Sequence, residues 1–127
     1  MNGYEVKIVD ASRDFSKKEI LKIKMLSEVT PIEDVLSSTE DAIIENIVDW
    51  AELEIHNERS KGEKDYSKHV IITESGDLYT TGSESFWDSF RMIYDTMNEG
   101  EKEPFSVKVY SVKSKNYAGE FFNCVVV

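Results

Sequence analysis

The feature that most constrains this chain is an amphipathic stretch, TGSESFWDSFRMIYDTMNEG (residues 81–100), between two β-rich patterns. Its large apolar residues recur at the spacing of one helix face, namely Phe86, Phe90, Ile93, Tyr94 and Met97. Ser83 is a residue type preferred at helix N-caps, and Gly100 is suited to the left-handed conformation that ends many helices. The pattern predicts a helix over residues 84–98.

The segments on both sides of this helix indicate paired strands. Residues 69–81 contain two short β-rich runs around Ser75-Gly76-Asp77, and residues 105–113 and 120–127 flank a second turn. With one strand upstream, the order becomes five strands with a helix between the third and fourth. This is the element order of the OB-fold, a partly open barrel. We therefore expect a mainly β fold with helices (α+β), an OB-fold-like five-stranded barrel, although element order alone does not establish closure.

The upstream strand is predicted from the alternation over residues 50–57. One face carries Ala51, Leu53 and Ile55, and the other carries Trp50, Glu52, Glu54 and His56. Residues 4–9 also alternate, and the capping-box pattern from Ser16 to Glu19 predicts a short helix. Residues 31–48 are ambiguous, and their second part, over residues 42–48, fits either a helix or a strand. The expectation is one domain over residues 1–127, with an N-terminal strand–helix extension (1–47) and an OB-like core (48–127).

The net charge of −10 argues against a nucleic-acid ligand, because phosphate binding requires Lys and Arg. The charge is unevenly distributed, however. Residues 30–60 contain nine acidic residues and one arginine, whereas residues 105–127 contain three lysines and one glutamate. The C-terminal hairpin is therefore the basic end of an acidic protein.

Few residues are suited to catalysis or metal binding. The chain has one cysteine, Cys124, and two histidines, His56 and His69, without HxxxH or CxxC spacing, and we expect each histidine on a strand surface. We predict no catalytic activity, no cofactor and no metal. No apolar run reaches the roughly 20 residues of a membrane helix, and no signal-peptide pattern is present, so we expect no membrane partner and a cytoplasmic location.

One strand face and its hairpin loop combine cations with aromatic rings. Val107 and Val109 are predicted to point inward, and the outward and loop residues are Lys108, Tyr110, Lys113, Lys115, Asn116 and Tyr117. Single-stranded nucleic acids bind to such surfaces, because cations follow the backbone and bases stack on rings. A second wall is predicted from Lys64, Tyr66 and Lys68 on the loop over residues 57–68, with Tyr79 and Trp50 as further stacking candidates. The alternative is that these tyrosines only cover sheet edges.

Two segments carry a resemblance to a known family. They are Tyr79-Thr-Thr-Gly followed by Ser83-Glu-Ser-Phe-Trp, and Val107-Lys-Val-Tyr followed by Ser114-Lys-Asn-Tyr-Ala-Gly-Glu-Phe. Over residues 50–127 the chain resembles small single-stranded DNA-binding proteins of the OB-fold type from phages that infect Gram-positive bacteria. The resemblance implies non-catalytic binding of single-stranded DNA in phage DNA replication or recombination, in the host cytoplasm, with replication or recombination proteins as further partners.

The chain departs from that family at its last residues, Cys-Val-Val-Val, where many members have an acidic tail that recruits partners. The acidic segment over residues 30–60 supports a different hypothesis, an acidic phage module that binds or inhibits a basic host protein by imitating nucleic acid. An acidic surface that only promotes solubility would have the same composition. The β-rich edge over residues 125–127 also predicts pairing with another chain, as in a homodimer.

Overall fold

The computed structural model describes residues 4–25, 29–38, 41–59, 61–113 and 120–127. Its elements within these ranges, in chain order, are β1 (Tyr4–Ala11), α1 (Lys17–Met25), β2 (Val29–Pro31), α2 (Ile32–Ser38), β3 (Ile43–Asn57), β4 (Asp65–Thr73), β5 (Leu78–Thr81), α3 (Glu84–Met97), β6 (Phe105–Lys113) and β7 (Glu120–Val126). The expectation of a mainly β, mixed α+β fold is confirmed.

The strands form one sheet in the order β2-β5-β4-β3-β6-β7, with β1 also paired to β3. One edge of β3 pairs with β4, and the other pairs first with β6 and then with β1. Register shifts on both sides of Ile47 bend β3, as β-bulges do. The sheet therefore curls into a half-barrel. Among the described strands no pairing joins β5 to β7, and the outer edge of β5 pairs in parallel with β2.

One face of the sheet is covered by α3 and α2, and we call the cluster between them the main core. Its largest members are Phe86, Trp87 and Phe90 of α3 against Trp50 of β3 and Phe105 of β6. The predicted helix is confirmed, since α3 begins at Glu84 after Ser83, whose hydroxyl accepts a hydrogen bond from the Phe86 amide at 3.3 Å. It ends at Met97 with Asn98 as the C-cap, so Gly100, at φ +85°, lies two residues beyond the cap.

The opposite face of the sheet carries a second core. Ile23 of α1 packs against residues of β3 and β4 that point away from the main core, which are Ala51, Leu53, Ile55, Val70 and Ile72. The capping box before α1 forms as predicted, because the Ser16 amide donates to Glu19 Oε1 at 2.9 Å and the Glu19 amide donates to Ser16 Oγ at 3.2 Å. The N-terminal extension is therefore packed onto the sheet.

Two boundaries differ from the prediction. The ambiguous stretch over residues 31–48 contains α2 and the first part of β3, which begins at Ile43 instead of Trp50. The predicted loop over residues 57–68 is shorter, because β4 begins at Asp65. None of the helices in the described ranges is long and apolar enough to span a bilayer.

Candidate nucleic-acid interface

The candidate surface begins with the alternation of β6. Val107 and Val109 point into the main core, as predicted, while Lys108 and Tyr110 lie on the outer side. Tyr110 keeps 37% of its surface exposed, although it sits in the middle of a nine-residue strand. A cation and an aromatic ring therefore stand two residues apart on an open sheet face.

The register between β6 and β7 extends this face. Lys108 lies opposite Val125, and Tyr110 lies opposite Asn123, which places Phe121 diagonally next to Tyr110. Phe121 is 40% exposed, an unusual position for so large an apolar ring. We call this surface the β6–β7 outer face and define it by Lys108, Tyr110, Phe121, Asn123 and Val125.

Contacts with α3 fix which side of β7 faces outward. The Ser85 hydroxyl donates a hydrogen bond to the Phe122 carbonyl oxygen at 2.9 Å, and Cys124 is buried against the backbone of Phe86. Because residues alternate along a strand, anchoring Phe122 and Cys124 inward turns Phe121 to the outer face. Phe121 was not predicted from the sequence, because EFFNCVV places large apolar residues on both faces of the strand and its pattern does not show which ring is exposed.

The tip of the hairpin is not part of the described structure. Lys115, Asn116 and Tyr117 lie outside the described residues, as does the Lys113 side chain. The backbone pairing of Lys113 with Glu120 brings the described ends of β6 and β7 together. The role predicted for these four residues stays a prediction.

The structure does not bring Lys64, Tyr66 and Lys68 to the β6–β7 outer face. On β3, Leu53 pairs with Lys68 and Ile43 pairs with Lys108, and these two β3 residues are ten positions apart. At about 3.3 Å per residue this separation is on the order of 30 Å along the strand. Tyr66 also packs against the second core. The prediction that these residues form the opposite wall of one groove is therefore wrong.

Trp50 is also corrected as a stacking candidate, whereas the role predicted for Tyr79 stays a prediction. Trp50 is only 4% exposed, because α3 covers its face of the sheet. Trp87 and Tyr94 meet its ring edge-on, and the Arg91 guanidinium lies 3.9 Å from its ring centre, so the ring offers no free face to a base. Tyr79 is half-buried and packs against the main core.

His69 was expected on a strand surface, but its side chain is buried. Its ring stacks on Trp87 at 4.4 Å, and the indole Nε1 of Trp87 donates a hydrogen bond to Glu52 at 2.7 Å. Glu52 and His69 are direct cross-strand partners on β3 and β4. The alternation over residues 50–57 placed Glu52 on the same face as Trp50, but could not show that α3 covers this face.

An acidic cavity of about 530 Å³ lies where β3 begins, and its lining residue Ile43 is the strand partner of Lys108 on β6. Its charged lining residues are Asp41, Glu45 and Asp77, together with Tyr79. Burial raises the pKa of the Tyr79 hydroxyl, and the negative charges of Asp77 and Glu45 raise it further. The carboxylates therefore act together as a negative patch.

The described residues show no cluster of side chains suited to metal binding. No three of their His, Cys, Asp or Glu side chains converge on a point that could hold a metal ion. Burial raises the pKa of the Cys124 thiol to about 12, so this thiol stays protonated at neutral pH and is a poor nucleophile.

Comparison with known proteins gives no assignment: no family model, no curated protein and no solved structure matches the chain.

Proposed function

We propose that this chain is a non-catalytic protein that binds single-stranded DNA on the β6–β7 outer face. The observation that carries the proposal is the exposure of Tyr110 and Phe121 side by side on one sheet face, next to Lys108. Bases stack on such rings with about 1–3 kcal/mol each, and nearby cations follow the phosphates. Lys113, Lys115, Asn116 and Tyr117 at the hairpin tip would extend the same surface.

We also propose that the half-barrel is of the OB-fold type. The neighbouring strands β5-β4-β3-β6-β7 and the position of α3 between β5 and β6 support this proposal. OB-folds bind oligonucleotides on their second and third strands and on two hairpin loops. In this chain, Ile23 of α1 packs on β3 and β4 from the outer side, which favours the β6–β7 hairpin as the binding surface.

The biological setting follows from the resemblance to phage proteins. We propose a role in phage DNA replication or recombination in the host cytoplasm, with replication or recombination proteins as possible additional partners. The net charge of −10 is compatible with this role when the strand contacts only the basic C-terminal hairpin.

The test is fluorescence anisotropy of a labelled oligo-dT, titrated with the protein at about 50 mM and about 200 mM salt. We expect salt-sensitive binding in the micromolar range or tighter. Tyr110→Ala and Phe121→Ala should each weaken it about tenfold, because each removes one stacking surface. Tyr110→Phe keeps the ring and should bind like the unmodified protein.

The lysine contribution is tested by Lys108→Glu, with Lys7→Glu as the matched control. Both lysines are exposed on strands, but Lys7 lies on β1, outside the proposed surface. We expect a loss of affinity and a smaller salt slope only for Lys108→Glu. Absence of binding at low salt, or equal effects of the two substitutions, would refute the proposal.

A second candidate is an acidic module that binds a basic protein, and the observation that favours it is the cavity formed by Asp41, Glu45 and Asp77. It predicts salt-sensitive binding of a Lys/Arg-rich peptide and weaker binding after Glu45→Gln and Asp77→Asn. Unchanged peptide affinity in that double variant would reject this candidate.

A further inference from the structure

The solvent face of α1 combines apolar and basic side chains. Leu21 and Met25 are 58% and 67% exposed and stand one turn apart, on the side of the helix opposite the buried Ile23. At 100° per residue, lysines flank this apolar pair on both sides: Lys17 and Lys24 on one, Lys18 and Lys22 on the other. Two large exposed apolar residues at the centre of a helix face form a patch that can bind a partner.

The solvent face of α3 has the complementary composition. Met92 is 67% exposed, although the helix buries three large aromatic residues on its other side. Three exposed acidic residues, Glu84, Asp88 and Asp95, form a stripe along one side of Met92, within about 80° of it around the helix axis. The only basic residue of α3, Arg91, is turned toward Trp50 and Glu52. This helix face therefore carries an exposed apolar residue beside an acidic stripe.

The two faces cannot meet within one molecule. Ile23 anchors α1 to the second core, and Phe86 and Phe90 anchor α3 to the main core, on the opposite side of the same sheet. The solvent faces of the two helices therefore point away from the sheet in opposite directions.

We propose that α1 of one copy docks on α3 of a second copy of this chain. Leu21 and Met25 would pack against Met92, with Lys18 and Lys22 next to Asp88 and Asp95. The acidic stripe of α3 and the basic face of α1 are complementary in charge, but they cannot meet within one molecule. The partner of α1 is therefore α3 of a second copy. Because the two surfaces are different, the contact is heterologous and adds copies head to tail.

The expected association is weak and depends on salt. A single contact between two short helices is smaller than the roughly 1,200 Å² of a standard stable complex. Charge pairs at its rim are screened by added salt. We expect the weight-average sedimentation coefficient to rise with protein concentration at low salt and to fall at about 0.5 M salt. No nucleic acid is needed, so this test is independent of the DNA-binding proposal.

A charge-swap series tests the pairing of the helices. Lys18→Glu with Lys22→Glu, and separately Asp88→Lys with Asp95→Lys, should each raise the dissociation constant tenfold or more. The four substitutions combined in one chain should restore association, because the opposite charges face each other again. Misfolding does not explain such a rescue, and circular dichroism of each variant checks the fold.

Crosslinking identifies the neighbours directly. Met25→Cys and Met92→Cys are prepared separately, mixed and treated with a short bis-maleimide, to which the buried Cys124 should not react. A covalent dimer should form in the mixture and not with either variant alone. Three results would each overturn the proposal. They are a protein that stays monomeric at every concentration, association through the β7 edge that neither pair of charge substitutions changes, and a combined variant that fails to associate.

Discussion

Asp49 shows how one buried carboxylate connects distant parts of the chain. It lies next to the bulge in β3 and accepts hydrogen bonds from Arg13 Nε at 2.9 Å, Ser12 Oγ at 3.0 Å and Lys102 Nζ at 2.8 Å. Ser12 and Arg13 belong to the connection between β1 and α1, whereas Lys102 follows α3. The carboxylate thus ties both layers of helices to the central strand.

We predict that Asp49→Asn lowers the free energy of unfolding by about 1–3 kcal/mol, because it weakens three hydrogen bonds to a charged group. Arg13 and Lys102 are partly exposed, so water replaces part of the lost interaction and the cost stays below that of a fully buried pair. Urea unfolding measures the change. The exposed Asp14→Asn is the control and should change stability by less than about 0.5 kcal/mol, and an equal effect of both substitutions would contradict the prediction.

At the residue scale, the sequence predicted the face of a strand on which a side chain lies better than it predicted whether that side chain is buried. The outward positions of Lys108 and Tyr110 followed from alternation within β6, which is a local property. Trp50 was correctly placed on the same strand face as Glu52 and His56, but α3 covers only the part of that face nearest Trp50. Coverage by a helix more than 30 positions away depends on tertiary packing, which a local pattern does not contain.

The same distinction holds for whole elements. Helix α3 was predictable because its apolar spacing, its N-cap and its length all indicate a helix. Strand β3 begins seven residues before its predicted start, at a segment containing Asn46 with φ +55° and a register shift. That segment is extended because it pairs with β6, about 60 residues later in the chain. An apolar run of this length fits a helix as well as a strand, so the sequence alone did not decide between them.

At the hairpin that joins β3 to β4, His56 contacts two acidic side chains. His56 Nδ1 lies 2.7 Å from Asp65 and its Nε2 lies 2.6 Å from Glu58. Ionised carboxylates only accept hydrogen bonds, so both ring nitrogens must donate and the imidazolium fits the site. Asp65 and then Glu58 raise the pKa of His56. The other charged groups around it are Glu5, Lys7, Glu54 and Lys64.

We predict that His56 stabilises the fold only while it is protonated. Because its pKa is raised in the folded state, its contribution is complete below the unfolded value of 6.5 and is lost as the pH rises through the folded pKa. The pKa of Glu58 is lowered, so its part of the contribution is lost as the pH falls through that lowered value. Urea unfolding of the unmodified protein and of His56→Gln at about pH 5.5 and about pH 9 measures the difference.

The unmodified protein should be more stable than His56→Gln at the lower pH, and the two should converge at the higher pH. Glu58→Gln is the matched control, because it removes one of the two negative charges beside His56 and should reduce the pH dependence without abolishing it. A stability difference that does not change with pH would show that the imidazolium is not the stabilising form.

At the scale of the whole molecule, two cores share one sheet. Strand β3 sends Ile44, Ile47 and Trp50 into the main core and Ala51, Leu53 and Ile55 into the second core. If either core unfolds, the face of β3 that it covers becomes exposed to water, and β3 is also the strand on which the other core packs. The N-terminal extension and the barrel-like core, separated in the sequence prediction, should therefore unfold together.

We predict that cavities in either core shift one common transition. Leu53→Ala in the second core should cost about 2–5 kcal/mol, and Phe90→Ala in the main core about 3–5 kcal/mol, because both side chains are fully buried. Tryptophan fluorescence reports on the main core, which contains Trp50 and Trp87, and far-ultraviolet circular dichroism reports on all elements. For Leu53→Ala the two signals should move together to lower urea concentration. A fluorescence midpoint that stays in place while the circular dichroism midpoint moves would instead mean that the second core unfolds independently, and that the chain contains two cooperative units.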